Sequence, residues 1–579
     1  MNDSDTAGKD GHRLVESNKK VKTKKKTKAM GHIKALIVTV VVYAIADYFM
    51  LFPYNIQSTE TWVVAIVTVF AFGLLDSAFT AGFKTEVVHG GQMGTVVKTT
   101  FSDKKPSVGK VTLIAAVALA VIGIIMLVFS SEVFHAKSYA NIAGATIETR
   151  NFTEDVAPSE SIADISLMDT GTARIVGARA LGSLSDLVSQ FEINETYTQI
   201  NLNGAPKKVT PLEYADLFKY FANMSTGIPG YISVDPVKNT SEFVKLDKPM
   251  YYADSAYFDK DLMRKLRFSY RWAMFGNVYF EIAEDGTPYY IAPVLKHTIG
   301  LFGGVDVKGV VILNACTGDT EYFERENIPT WIDIVFDGDM LTQRYDWYGL
   351  LSGGFLNSVF ANKDCKRVTD DFGYKMFDDD VWVFTGVTSL ASDQSNIGFV
   401  LMNSRTAEIR YYAIPGAEEY SVMRSAEGEV QNLGYTASFP SVINIDNQPT
   451  YIMVLKDKGS LVKQYALIHV ERYNIVATAT TQKEAISKYR AALASNGITA
   501  GKTDYIDPDS RTVTVSDIKY LTIDGNSWAY IITPKGEIYK MQVSQDEKVV
   551  LVKAGDKLRI SASEDAEDLY SILDFDWEK

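Results

Sequence analysis

Three apolar stretches within the first 130 residues, roughly Ile33 to Phe52, Trp62 to Phe79 and Val111 to Phe129, constrain this chain more than any other feature. Each is close to the ~20 residues that an α-helix needs to cross ~30 Å of hydrocarbon, and none is long enough to cross twice. The first 130 residues carry 15 Lys and Arg against 9 Asp and Glu, whereas the remainder carries 43 against 62. A basic run, Lys19, Lys20, Lys22, Lys24, Lys25, Lys26 and Lys28, precedes the first stretch. The link from Pro53 to Thr61 has no Lys or Arg, and the second link is basic again through Lys84, Lys98, Lys104, Lys105 and Lys110. The positive-inside rule then predicts a cytoplasmic N-terminus, three spans and an extracytoplasmic region from about residue 130 onward. The first apolar core is too long for a signal peptide, and no convincing small-residue cleavage site follows it. The lysines also predict contact with anionic membrane lipid.

Asp47 and Asp76 fall inside predicted spans, where an ionisable residue is a functional flag. At 1.5 Å per residue they lie at different depths. A direct carboxylate pair is therefore not expected; Asp47 should snorkel outward, Asp76 inward, or either should hydrogen-bond within the bundle.

The outer region is predicted to be α+β: helix-plus-antiparallel-sheet modules, followed by a small C-terminal β-rich barrel or sandwich. The boundaries read as a basic tail over 1–32, spans over 33–52, 62–79 and 111–129, and a basic loop over 80–110. Beyond them come a stalk over 130–180, modules over 181–330, an aromatic and acidic connector over 331–395, a module over 396–495 and the β-rich domain over 505–579. Helical spacing predicts helices near Thr210 to Asn223, from Phe258 to a cap at Gly276, from Gly416 to Glu429, and from Gln482 to Ala494. Asp285-Gly286 predicts a tight hairpin between Asn277–Ile282 and Pro288–Val294.

Two segments resemble each other: the strand Val311–Asn314 running into Thr317-Gly318-Asp319, and Gly398–Asn403 running into Thr406-Ala407-Glu408, with Ala407 in place of the glycine. A helix followed by a meander that ends in such a turn resembles the PepSY or cystatin-like modules of bacterial envelope proteins, over about residues 210–480. The resemblance implies a non-catalytic module that binds or restrains a partner protein.

Chemistry is sparse. The six His form no paired-His motif, and neither a Gly-x-Ser-x-Gly elbow nor a phosphate loop occurs. This points away from an enzyme, and no cofactor or metal is expected. The rival is a wall-active hydrolase with carboxylates assembled by folding, such as Asp337 and Asp339. The acidic group Asp370, Asp371, Asp378, Asp379 and Asp380 lacks an EF-hand spacing and reads as a solvated turn rather than a Ca²⁺ loop. Trp331, Tyr345, Trp347 and Tyr348 offer either a face for a glycan or partner protein or the filling of a core. Cys316 and Cys365 allow one disulfide or two separate thiols. Sequons begin at Asn151, Asn194, Asn223 and Asn239. A net charge of -13 argues against nucleic acid as a partner. The expected function is a membrane-anchored scaffold, assembly or regulatory protein of the cell envelope that binds another protein. The alternatives are a hydrolase or glycan binder, and an accessory subunit of a transporter or channel.

Overall fold

The computed structural model describes residues 17–80, 83–89, 95–101, 107–144, 146–158, 166–182, 184–390, 392–498, 511–523, 526–543, 547–566 and 569–578. The side chains of the lysine run, Lys19 to Lys28, lie outside what is described. Three helices, α1 (Ser17–Met50), α2 (Thr59–Thr80) and α3 (Val108–Phe129), are long and apolar enough to cross a membrane, α1 from Ala29 onward. An antiparallel hairpin, Phe83–His89 with Thr95–Phe101, joins α2 to α3. Small residues let α2 and α3 approach closely: a Cβ on Gly109 would lie 2.6 Å from the Gly73 carbonyl oxygen and 2.3 Å from Ser77 Oγ. Such close approach supplies the packing contact that the hydrophobic effect cannot supply between helices in lipid.

The body that follows is mixed α and β, and its topology repeats four times. Each copy is a helix, two short strands that both pair with one long strand, and two further antiparallel strands. The first copy begins with helix Thr170–Gly182, and its sheet runs from Phe191–Ile193 through Thr198–Leu202, Ala205–Tyr214 and Ile228–Asp235 to Thr240–Met250. The second has helix Leu262–Ser269 and long strands Pro288–Ile299 and Gly303–Asn314. The third has helix Gly338–Leu351 with Asp380–Ser389 and Ser392–Asn403. The fourth has helix Glu419–Glu429 with Gln448–Lys456 and Val462–His469.

One turn marks every copy. Where the fourth strand ends, a side chain accepts from the backbone N–H groups two and three residues on: Asp235 (3.1 and 2.9 Å), Asn314 (2.9 and 3.0 Å), Asn403 (both 2.8 Å) and His469 through Nδ1 (3.2 and 3.1 Å). In the first three, the residue four positions on takes positive φ: Asn239 (56°), Gly318 (77°) and Ala407 (62°). Ala407 thus occupies the same left-handed position as the glycine, which costs an L-residue about 1–2 kcal/mol.

The sheets stack face to face. Tyr290, Ala292 and Leu313 face the core shared with the first sheet, while Ile291, Val310 and Ile312 face the core shared with the third. In the third sheet Val383, Val400 and Met402 point one way and Trp382, Phe384 and Leu401 the other. The fourth alternates in the same way, with Tyr451 and Met453 against the third sheet and Ile452 and Val454 under helix Gln482–Ser495. Burial on both faces explains why these strands read as continuous apolar runs rather than as polar alternation.

The C-terminal sheet is built from six strands whose edges, Arg511–Thr514 and Asp517–Ile523, are consecutive in sequence. Their link is only Val515 and Ser516, so Thr514 and Asp517 stand at most ~11 Å apart, which brings the two edges together at one end and curls the sheet around its own core. The result is a curled, barrel-like sheet whose two edges no ladder joins among the described residues.

Several expectations are corrected. The helix expected from Thr210 is strand up to Tyr214, where Pro211 and the β-branched Val209 and Thr210 disfavour helix; helix Leu217–Asn223 starts only at its Asp216 cap. The helix expected from Phe258 to Gly276 spans Leu262–Ser269, and Met274–Phe275 is strand paired to Val294 and Leu295. The next helix starts at Glu419 rather than Gly416, because Gly416–Ala417 pairs with Ser395 and Asn396. The stalk is no stalk: helix Glu132–Gly144 packs on helix Gly338–Leu351, and Ile147–Arg150 adds a parallel edge strand to the third sheet beside Ile409–Tyr412. The connector over 331–395 is the helix and first strands of the third copy.

Candidate functional site at the junction of spans and body

The body-side ends of all three spanning helices meet the second repeat. Helix Leu262–Ser269, capped by Asp261, turns Arg264 and Arg267 toward the end of α1, and Arg271 follows one turn later. The last carbonyls of α1 have no intrahelical donor. Arg264 Nε donates to the Tyr48 carbonyl (3.4 Å) and Arg267 Nε to that of Leu51 (2.7 Å), while Leu51 itself turns left-handed (φ 53°). Cations at this end also suit the negative pole of the helix dipole. Arg267 is 5% exposed, and burial pulls its guanidinium below its ordinary pKa, against the pull of Glu60.

Asp47 meets Arg271, whose Nη1 donates to both carboxylate oxygens at 2.8 and 2.9 Å. It therefore neither snorkels to water nor bonds inside the bundle, and it pins the span to the body. Arg271 lies over the rings of Phe268 (4.2 Å) and Tyr54 (5.0 Å), and its carbonyl accepts from Tyr54 N–H (2.8 Å). Gln57 clasps the backbone of His297 at two points, donating to its carbonyl (2.9 Å) and accepting from its N–H (3.3 Å).

At the end of α3, Ser130 Oγ accepts from the N–H groups of Leu301 (2.9 Å) and Phe302 (3.2 Å), and Tyr139 donates to the Ser130 carbonyl (2.7 Å). The approach is tight: a Cβ on Gly303 would stand 2.3 Å from both the Ser130 carbonyl oxygen and Tyr139 Oη. Trp62 of α2 sets its ring edge-on to Phe302. Asp76 is fully buried and pairs with His32 of α1, within the bundle.

The other predicted residues fall elsewhere. Tyr345 (1% exposed) and Trp347 (8%) are core, and Trp331 and Tyr348 pack against it, so these four do not form an open face for a glycan or partner. Trp347 Nε1 donates to Glu132 (2.7 Å), and its ring meets that of Tyr139. Cys316 and Cys365 are free thiols, donating separately to the carbonyls of Lys248 and Leu350. In the acidic group, Asp378 pairs with Arg410, Asp380 with Arg405, and Asp379 accepts from Asn201. No cluster of His, Cys, Asp and Glu among the described residues could hold a metal. Asp337 caps helix Gly338–Leu351 through Met340 N–H (2.8 Å) and accepts from Tyr279 and Asn277.

One pair escaped the sequence reading. Glu281, fully buried, accepts from the N–H groups of Asp333 and Ile334 (both 2.9 Å), and Asp333 accepts from Asn201 N–H (2.7 Å). Burial raises both carboxyls, and the Glu281 charge raises Asp333 further. Two backbone donors on Glu281 oppose its rise, against one on Asp333. The only signal was an acidic residue at an inward position of Tyr279–Ile282. Glu281 and Asp333 (2% exposed) thus tie strand Tyr279–Ile282, the segment before helix Gly338–Leu351 and strand Thr198–Leu202 to one another.

No protein-family model matches this chain, and no curated protein matches it.

Proposed function

We propose that this is a membrane-anchored scaffold or assembly protein of a cell envelope, its N-terminus cytoplasmic and its repeat stack extracytoplasmic, which engages another protein through the sheet edges of the repeats. The observation that carries the reading is Ile147–Arg150, which pairs in parallel with Ile409–Tyr412 and so fills the last-strand edge of the third repeat. The chain thereby accepts an extended segment at one such edge in cis. The equivalent edge of the first repeat, Thr240–Met250, has no further strand beside it among the described residues. It is eleven residues long, with Glu242, Lys245, Asp247 and Lys248 exposed. Strand addition would supply main-chain hydrogen bonds for affinity and these side chains for selection. The lysine asymmetry across the spans supports the orientation, and the PepSY-like arrangement of helix and meander is in keeping with a partner-binding role.

The test is a photo-crosslinking residue at Lys245, in full-length protein in native membranes, with the same residue at exposed Val550 of the C-terminal barrel as the reference. The reading expects one defined protein adduct at Lys245. Equal, diffuse labelling at both positions overturns it. Digestion of intact protoplasts tests the orientation separately, since full protection of the body would place it inside.

A further inference from the structure

We infer that the span-facing side of the body is itself inserted into the adjacent membrane leaflet, through two apolar ridges that continue the ends of α1 and α3. The inference depends on the helices crossing a bilayer and not on the scaffold reading, so failure to find a protein partner leaves it standing.

The first ridge consists of Phe218, Phe221, Phe258, Phe268 and Trp272. Phe218 is 80% exposed and Trp272 72%, far beyond what aromatic side chains in water ordinarily show. Phe218 lies one turn before Phe221 on helix Leu217–Asn223, and the other members are tied to α1 and the link after it. Phe268 lies against Tyr48 (6.3 Å between ring centroids) and Trp272 against Tyr54 (6.2 Å). Phe221 lies against Phe258 (6.2 Å), whose carbonyl accepts from Arg264, and Arg264 in turn covers the Tyr48 ring. The second ridge is Phe134, Leu356, Val359 and Phe360, the last 79% exposed. It continues α3, because Phe134 stacks on Phe129, the last residue of that helix (6.2 Å). A cleft of about 680 Å³ separates Val133–Ser138 from Gly353–Asn357.

Two features select lipid over a protein as the occupant. Both ridges start at residues where spanning helices leave the hydrocarbon, so the surface that they extend is already membrane-facing. The first ridge also has the composition of an interface, with Trp272 beside the Tyr54 ring and the Arg264 and Arg271 guanidinium groups over Tyr48 and Tyr54, and Trp and Tyr concentrate at headgroup level. Short apolar elements of this kind bury ~5–10 Å into the boundary between headgroups and chains.

The test uses the full-length chain carrying Cys316→Ser and Cys365→Ser, with single cysteines replacing Phe218, Phe360 or Leu433 and a polarity-sensitive fluorophore on each. Leu433 is an exposed reference in the fourth repeat. In phosphatidylcholine nanodiscs the labels at 218 and 360 should shift to the blue and lose most of their emission when the lipid chains are brominated, while the label at 433 stays water-like. A protein occupant would leave the ridges wet in nanodiscs that contain no other protein; labels at 218 and 360 that behave like 433 overturn the inference. Intrinsic fluorescence guards against perturbation by the label. Trp272→Phe should remove a substantial part of the lipid-quenchable tryptophan signal of the unlabelled protein, and an unchanged quenchable signal counts against insertion of the first ridge.

Discussion

Replacing Arg271 by alanine is the sharpest perturbation of the junction. It removes two charge-assisted hydrogen bonds to Asp47, at 2.8 and 2.9 Å, and leaves a carboxylate whose side chain is 11% exposed without its partner. Stranding one member of a fully buried pair costs about 3–5 kcal/mol. Arg271 is 28% exposed, so water can reach part of the site, and a hydrogen bond to a charged group contributes about 1.5–3 kcal/mol. Taking ~2 kcal/mol as the local cost, the opening equilibrium of the junction rises about 30-fold, since 1.36 kcal/mol is a factor of ten. A single melting temperature is a poor reporter for a chain with several cores. Amide exchange of the full-length protein in nanodiscs reads the site directly, because local opening sets exchange there. In Arg271→Ala, residues 48–55 and 264–273 should exchange about 30-fold faster, with the C-terminal barrel unchanged. Asp47→Ala with Arg271→Ala should recover part of the protection, because the unpaired charge is gone. Unchanged protection of residues 48–55 in the single variant would refute the reasoning.

Two further predictions concern titration. Asp333 carries a raised pKa in the folded protein, so the folded state holds a proton that the unfolded state releases, and stability falls as pH rises above the ordinary carboxyl range. Asp333→Asn keeps an acceptor for Asn201 N–H and cannot ionise; its local stability should be flatter than wild type between about pH 5 and 8, measured as amide protection of residues 279–282 and 333–336 relative to the intrinsic exchange rate at each pH. His469 has the opposite sign. Its Nδ1 accepts two backbone N–H groups and burial lowers its pKa, so its contribution is complete above ~6.5 and is lost on acidification. His469→Asn should keep the turn, as Asn314 and Asn403 do, and remove the acid-dependent rise in amide exchange of residues 470–476. An identical acid response in the variant would assign it elsewhere.

The spans were legible because hydrocarbon thickness imposes a length that a single helix cannot disguise: Val111 to Phe129 matches α3 to its last residue. The Thr-Gly turn and its Ala407 echo were also legible, since positive φ restricts the residue and the preceding Asn has a geometric role. The fourfold repeat was not. Its four turn-capping side chains are Asp, Asn, Asn and His, which share an acceptor atom but no letter pattern. Boundaries failed where tertiary pairing overrode spacing, as at Met274–Phe275, whose strand exists only because Val294 and Leu295 lie beside it. The candidate site was half visible. Asp47 could be flagged as a charge in a span, yet Arg271 lies 224 residues away, and nothing local joins them. Aromatics beside glycines misled for a related reason: Gly349 lies against the Lys366 carbonyl, so its helix is drawn into the core and carries Tyr345 and Trp347 with it.

The chain's path determines how firmly the body is held. After α3 it runs through helix Glu132–Gly144 and strand Ile147–Arg150 into the third repeat before building the first two, and the second repeat then returns to the span ends. The spans are therefore attached at two repeats, one by chain continuity and one by docking. Those repeats are locked together beside the attachment: Asp306 of the second repeat pairs with Arg344 of the third (2.6 Å) and with Arg325 (3.3 Å), and Arg344 also donates to the Ile142 carbonyl (3.1 Å). Arg344 is 2% exposed, so removing Asp306 would leave a buried cation, a costly state that biases the repeats to stay in register. Two attachments joined by a buried ion pair remove the swivel that a single flexible link would allow. A body so held keeps its free sheet edge, Thr240–Met250, in a fixed relation to the ends of α1 and α3.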